Sequence, residues 1–202
     1  MKMPRGSLWM GLLAWAGAGC IAMPKMLPAD YFAPRRTVAI AVQGGLPTPT
    51  LSTDRPQNQI AGATWLARNE AMKTRMAGIT PDRLHAAIRG ALARQLADTF
   101  TVVEKDPQLL LTVTLKDWGW YVPTGRFGES QDIHFFRLSG TASIADPAQA
   151  GAEVYFAYNS TDTPLGDHLT KEKCEAALPQ AAADFAAQVG RFILQGKPAP
   201  PP

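Results

Sequence analysis

Residues 80 to 122 read TPDRLHAAIRGALARQLADTFTVVEKDPQLLLTVTLKDWGWYV, and within this stretch the hydrophobic period changes from that of a helix to that of a strand. Thr80 is an N-cap residue with Pro81 at the first helical position. Leu84, Ile88, Leu92 and Leu96 recur every fourth residue with Ala87 and Ala91 alongside, which makes one apolar stripe over Pro81 to Asp98. Such a stripe predicts a helix that packs on a sheet. After it come FTVVE at 100 to 104, turn residues at Lys105-Asp106-Pro107-Gln108, and a long strand-like run from Leu109 to Val122. That spacing predicts a hairpin with a four-residue connection. In the second run Leu109, Leu111, Val113 and Leu115 share one face, while Thr112, Thr114, Lys116, Trp118 and Trp120 share the other.

Working outward, Thr37 to Val42 (TVAIAV) is a short apolar run that reads as a buried central strand, ended by Gly44-Gly45. Leu46 to Gln59 is rich in Pro and Thr, has no sustained period, and is expected to be a surface loop. Ala61 to Ala77 is expected to be helical, with Leu66, Met72 and Met76 as its apolar residues. Ile133 to Ala145 and Ala152 to Asn159, joined through Asp146-Pro147-Ala148-Gln149-Ala150-Gly151, read as a second hairpin. Lys171 to Leu194 is a helical region whose apolar face holds Leu178, Phe185, Val189, Phe192 and Ile193, and Pro179 is expected to divide it. The sum is an α+β fold: a mostly antiparallel mixed sheet of about five strands with helices packed on one face. It occupies one domain, residues 37–195, followed by a proline-rich tail at 196–202 expected to lack structure.

Composition supports one packed domain. The chain has 202 residues, 46% hydrophobic, with 17 Gly, 17 Pro and two Cys. Two cysteines exclude a disulfide-stapled mini-domain. Lys2 and Arg5 form a basic start, Leu8 to Ala18 (LWMGLLAWAGA) an apolar segment, and Gly17, Ala18 and Gly19 are small residues leading to Cys20. This is the pattern of an export signal, residues 1–19. The uncharged run Leu8 to Met23 is 16 residues long, short of the roughly 20 that span a bilayer as a helix. Removal of Lys2 and Arg5 lowers the net charge from +3 to +1, so electrostatic capture of nucleic acid is not expected. Residues 20–36, with Pro24, Pro28 and Pro34, read as a tether.

The arrangement Ala16-Gly17-Ala18-Gly19-Cys20 resembles the lipobox of bacterial lipoproteins, in which a signal peptidase cuts before a cysteine that carries diacylglycerol. Gly17 stands where that family usually has an aliphatic residue. The resemblance implies lipidation at Cys20 with palmitate-type chains, two or three of which anchor a protein stably. Ile21 after the cysteine, rather than Asp, implies delivery to the outer membrane by the rule of enterobacterial members. Ordinary cleavage after Ala18 or Ala22 is the alternative, and it leaves Cys20 unmodified or discards it. With this address, the Thr37 to Val42 strand, the Pro81 to Asp98 helix and the FTVVE-turn-LLLTVTL order, residues 37–194 are similar to the auxiliary lipoproteins of ABC-type envelope transport systems and to curli-export-type and TolB-type periplasmic domains. What the resemblance implies is a non-enzymatic envelope partner, with the membrane engaged through the lipid and no site residue transferred.

Groups for catalysis do not converge in the sequence. His85, His134 and His168 have no second ligand at metal-site spacing, and the best collection, Glu129, Asp132 and His134 with Asp167 and His168, depends on two loops meeting. Cys174, beside Lys171 and Lys173, reads either as an activated thiol or, more ordinarily, as a small buried hydrophobe. No catalytic residue, metal or cofactor is therefore expected. A periplasmic hydrolase or metal-dependent enzyme, and a lipid or small-molecule carrier, are the alternative classes. The candidate binding patch is aromatic: Trp118, Trp120, Tyr121 and Phe127, gathered at one end of the sheet to dock a partner, glycan or lipid. A β-bulge near Asp117 or Gly119, or cover from residues 44 to 78, would instead return both tryptophans to the core.

Overall fold

The computed structural model describes residues 32, 34–54, 62–123, 133–148, 155–166 and 169–195. Along the chain these form β1 (Thr37–Gly44), β2 (Thr50–Ser52), α1 (Gly62–Met76), α2 (Pro81–Leu96), β3 (Thr101–Val102), β4 (Leu109–Tyr121), β5 (His134–Ala145), β6 (Tyr155–Gly166) and α3 (Lys171–Gln195). The α2 start is built as its sequence dictates. Thr80 is extended, its Oγ1 accepts the Arg83 backbone N–H at 3.2 Å, and Pro81 opens the first turn where no N–H is needed. The stripe Leu84, Ile88, Leu92 and Leu96 is buried, together with Ala91.

The sheet runs β3-β1-β4-β5-β6, with β2 also paired to β4. β1 lies parallel to both β3 and β4, β2 is parallel to β4, and the long β4–β5 and β5–β6 pairs are antiparallel. Its inner face carries Val38 and Val42 from β1, Leu109 to Leu115 at alternate positions of β4, Phe136, Leu138, Ala142 and Ile144 from β5, and Ala157 from β6. The helices pack here, α2 against β1 and α3 against β5 and β6. The two helices run in the same direction: Arg83 meets Glu175 near one end, and Gln95 lies against Gly190 near the other.

Three local expectations are corrected. Residues 100 to 104 and 109 to 122 do not pair as a hairpin, because β1 sits between them, with Val38 opposite Val102 on one side and Leu109 on the other. An apolar strand such as β1 needs neighbours on both sides to satisfy its backbone donors and acceptors once buried, and an inserted β1 supplies two ladders where a hairpin supplies one. The expected loop at 46 to 59 contains β2, whose Thr50, Leu51 and Ser52 register with Gly119, Trp120 and Tyr121. Pro179 does not divide the last helix, since α3 continues through it. The hydrogen bond lost at a mid-helix proline, about 3 kcal/mol, is offset by a face on which Leu178, Ala181, Ala182, Phe185, Ala186, Val189, Phe192 and Ile193 are all buried.

The second hairpin forms as expected and extends further, β6 continuing to Gly166. Its inward positions beyond Ala157 are Asn159, Thr161 and Thr163, which hide the alternation from a hydrophobicity reading. In α1, Met72 and Met76 point into the core, whereas Leu66 is 64% exposed. The signal segment, Cys20, most of the tether and the tail at 196–202 lie outside the described residues.

Since Ile88 and Leu92 are fully buried at the middle of the α2 stripe, Ile88→Ala or Leu92→Ala is expected to cost about 2–5 kcal/mol in urea unfolding. A loss below about 0.5 kcal/mol, the range of surface substitutions, would contradict this placement.

Candidate functional site

The aromatic end of the sheet is shaped by one irregularity in β4. Its pairing with β5 shifts between Leu115 and Asp117, so that Leu115 faces Gly140 but Trp118 faces Leu138. One extra residue in a strand reverses the parity of everything after it. The inner face therefore passes from odd positions, ending at Leu115, to Trp118, Trp120 and Val122, while Lys116 and Asp117 are exposed. Trp118 and Trp120 are each 1% exposed. The simple alternation that places them on the polar face is thus corrected, and the patch as an open aromatic surface does not exist at these two positions. Phe127 lies outside the described residues, as does Cys20.

β2 completes the cover. Trp118 Nε1 donates to the Leu46 carbonyl at 2.8 Å, Thr50 Oγ1 donates to the Trp118 carbonyl, and Ser52 Oγ to that of Trp120. Gly119, at φ +146°, is required by this approach: a Cβ there would lie 2.1 Å from the Thr50 carbonyl oxygen. Around Trp120 stand the His134 ring, edge-on at 5.2 Å, and the Arg75 guanidinium at 5.8 Å. The Trp120 indole N–H is buried without a hydrogen-bond acceptor and lies near the Cys174 thiol. Burial pushes the Cys174 thiol above its ordinary value, and Trp120 and Arg75 offset this only in part. The thiol is buried and protonated, a core residue rather than a nucleophile.

Tyr121 is the member of the patch that remains half-buried on the opposite face. Arg137 lies over its ring at 3.6 Å and makes two 2.7 Å hydrogen bonds to Asp162. Burial opposes the guanidinium charge, but the hydrogen bonds and charge of Asp162 outweigh it and raise the Arg137 pKa. Phe135 tilts against Tyr121 at 6.0 Å. Sequence reading missed Arg137 and Asp162 because their meeting depends on the β5–β6 register, in which they are direct partners.

The other titratable candidates are separated. His85 Nε2 is 2.9 Å from the Gly44 carbonyl, His134 rests on Trp120, and His168, Asp167, Glu129 and Asp132 lie outside the described residues. Among the described residues no cluster of three His, Cys, Asp or Glu side chains could hold a metal ion, and no helix is long and apolar enough to cross a membrane.

Several solved structures resemble this fold. A Xanthomonas campestris protein of family DUF330 is 10% identical, with 80% of this chain and 85% of that one aligned at a TM-score of 0.49. A minor lipoprotein from Acinetobacter baumannii is 14% identical over 80% of this chain and 94% of its own, at a TM-score of 0.40. A rare lipoprotein B from Shewanella oneidensis is 10% identical over 79% and 92%, at a TM-score of 0.35. No family model matches the chain, and neither does any curated protein.

The buried tryptophans predict that Trp118→Ala or Trp120→Ala will each lose about 3–5 kcal/mol of stability by denaturant melting. Retention of the wild-type midpoint would show that the rings lie at the surface. For Cys174, a chain carrying Cys20→Ser should resist a thiol reagent at pH 8 while folded and react fully in denaturant. The raised thiol pKa has a definite sign: its contribution to stability is complete below the unfolded thiol value of about 8.5 and falls as pH rises beyond it.

Proposed function

We propose that this chain is a membrane-anchored periplasmic lipoprotein, held at the outer membrane through Cys20, that serves as a non-catalytic binding or accessory subunit of a cell-envelope assembly or transport system. The observation that carries the reading is the order of three parts in the sequence: a basic-then-apolar export signal, Ala18-Gly19-Cys20, and a proline-containing tether leading into a domain that begins at β1. Two or more acyl chains on Cys20 would fix the protein to a bilayer without a spanning helix. Ile21 at the next position favours the outer membrane over retention at the inner one.

The absence of catalysis is part of the proposal, and what supports it is how the reactive side chains are engaged. Asp162 is bound by Arg137, Asp184 by the Thr163 hydroxyl and the Gln180 amide, Glu175 by Arg83 and Lys171, and Cys174 sits within the core. Each is occupied in holding elements together, whereas catalysis calls for acid, base or nucleophile groups converging on an open cleft.

Cys20→Ser is expected to abolish the lipid mass seen by intact-mass spectrometry and to move the protein from the membrane to the soluble or unprocessed fraction. A mature protein that begins at another residue and carries no lipid would refute the anchor. Co-purification of the lipidated form with envelope transport components tests the accessory role.

A further inference from the structure

On the outer side of the helical layer, α2 and α3 leave an open trough between them. It consists of two adjoining hollows of about 250 and 180 Å³ that share Arg94. The floor is made of small or buried side chains, Ala86, Ala87, Gly90, Leu178 and Ala183, with Pro179 on the α3 rim. Small residues at these positions let another backbone come close. Gly90 has a second consequence, because the Arg94 Nη1 lies 3.6 Å from where its Cβ would be, so the guanidinium is laid back along the trough.

The charges lining the trough are of one sign. Among the described residues its charged lining is Arg83 and Arg94, with no carboxylate. Arg83 is engaged at one end, donating to the Gly78 carbonyl and to Glu175. Arg94 is exposed and makes no ion pair with a described residue. The two arginines are eleven positions apart on α2, about 16 Å along a helix axis, or three turns.

We propose that this trough docks an acidic α-helix of a partner protein, which deepens and rests on the accessory-subunit reading. Three physical arguments select that occupant. The hollows are open to solvent, so the shape suits a ridge of side chains rather than an enclosed ligand. A docked extended strand would bury its backbone N–H and C=O groups against helix surfaces that have none free to pair with them, whereas a helix satisfies its own. Covering Arg94 with an apolar or basic surface would bury an unpaired charge, so the occupant must bring a carboxylate to it.

The test is a fluorescence-anisotropy titration of the full mature chain, in detergent micelles, with two labelled helical peptides of about 18 residues. Both carry the same Ala/Leu face, one flanked by Glu and the other by Lys. The Glu peptide is expected to bind at least about tenfold more tightly than the Lys peptide, the scale of one desolvated charge-assisted contact. Arg94→Glu should reverse that preference. Gly90→Leu, which fills the floor, should weaken the Glu peptide about tenfold or more while the thermal midpoint of the protein stays within a few degrees of wild type. Equal affinity for the two peptides, no binding of either, or binding untouched by both substitutions overturns the proposal. Binding of anionic phospholipid vesicles by the Cys20→Ser chain that is lost in Arg94→Glu would assign the trough to a membrane surface and overturn it as well. Such failures leave the accessory-subunit reading standing, because that reading is decided separately by the lipid mass and by co-purification.

Discussion

The extra residue in β4 between Leu115 and Asp117 is the constraint on which the rest of this structure depends. Without it, a strand of 13 residues would present either its leucines or its tryptophans to the helices, but not both. With it, the first half of β4 supplies Leu109, Leu111, Val113 and Leu115 to the core and the second half supplies Trp118 and Trp120, with Val122 just past its end. The same irregularity matches an interruption on the neighbouring edge. β1 pairs with β4 up to Leu115, the chain turns out at Gly44 and Gly45 with positive φ, and β2 resumes parallel pairing at Gly119. Both edges of β4 thus change course together, and the Trp118 indole locks them through its hydrogen bond to the Leu46 carbonyl.

Downstream of that constraint the polar groups fall into two roles. On the open face, Arg137 ties β5 to β6 through Asp162 and covers Tyr121, joining charge-assisted and cation–π contacts in one side chain. On the inner face, the edge strand β6 meets α3 through Thr163, whose hydroxyl donates to Asp184, which also accepts from Gln180, while buried Asn159 donates to the Ala157 carbonyl of its own strand. The Thr163 contact specifies one alignment of strand and helix, because a slip by one residue would break it as well as exposing the strand's apolar positions. The α3 helix is thereby placed in register with β6.

Much of the scaffold was legible in residue order. The four-residue recurrence of Leu84, Ile88, Leu92 and Leu96 is a local property of a helix that buries one stripe, so its place and its inward face follow from spacing alone. The apolar run of β1, the helix-forming run of α3, the alternation in the first half of β4 and the second hairpin follow for similar reasons, and the α+β class follows from their sequence. The signal-like segment before Cys20 is equally a matter of linear order. Spacing also contained both readings of Trp118 and Trp120, since a Gly between two tryptophans allows a strand and a bulge alike.

What only the tertiary structure decided are the matters in which distant segments compete for the same partner. Whether Leu109 to Leu115 pairs with Thr101 and Val102 or with β1 is settled by the burial of β1, which gains two ladders by standing between them. Whether the tryptophans are surface or core is settled by the shift of β4 against β5 between Leu115 and Asp117, with β2 pairing beside Gly119 from 69 positions away. Whether Pro179 breaks α3 is settled by the apolar surface awaiting both halves of that helix. The sequence by itself determined periodicity and caps, because these depend on neighbours along the chain. Register, parity after the bulge and the meeting of Arg137 with Asp162 depend on free energy shared between segments far apart in sequence, and that sum exists only once the chain has folded.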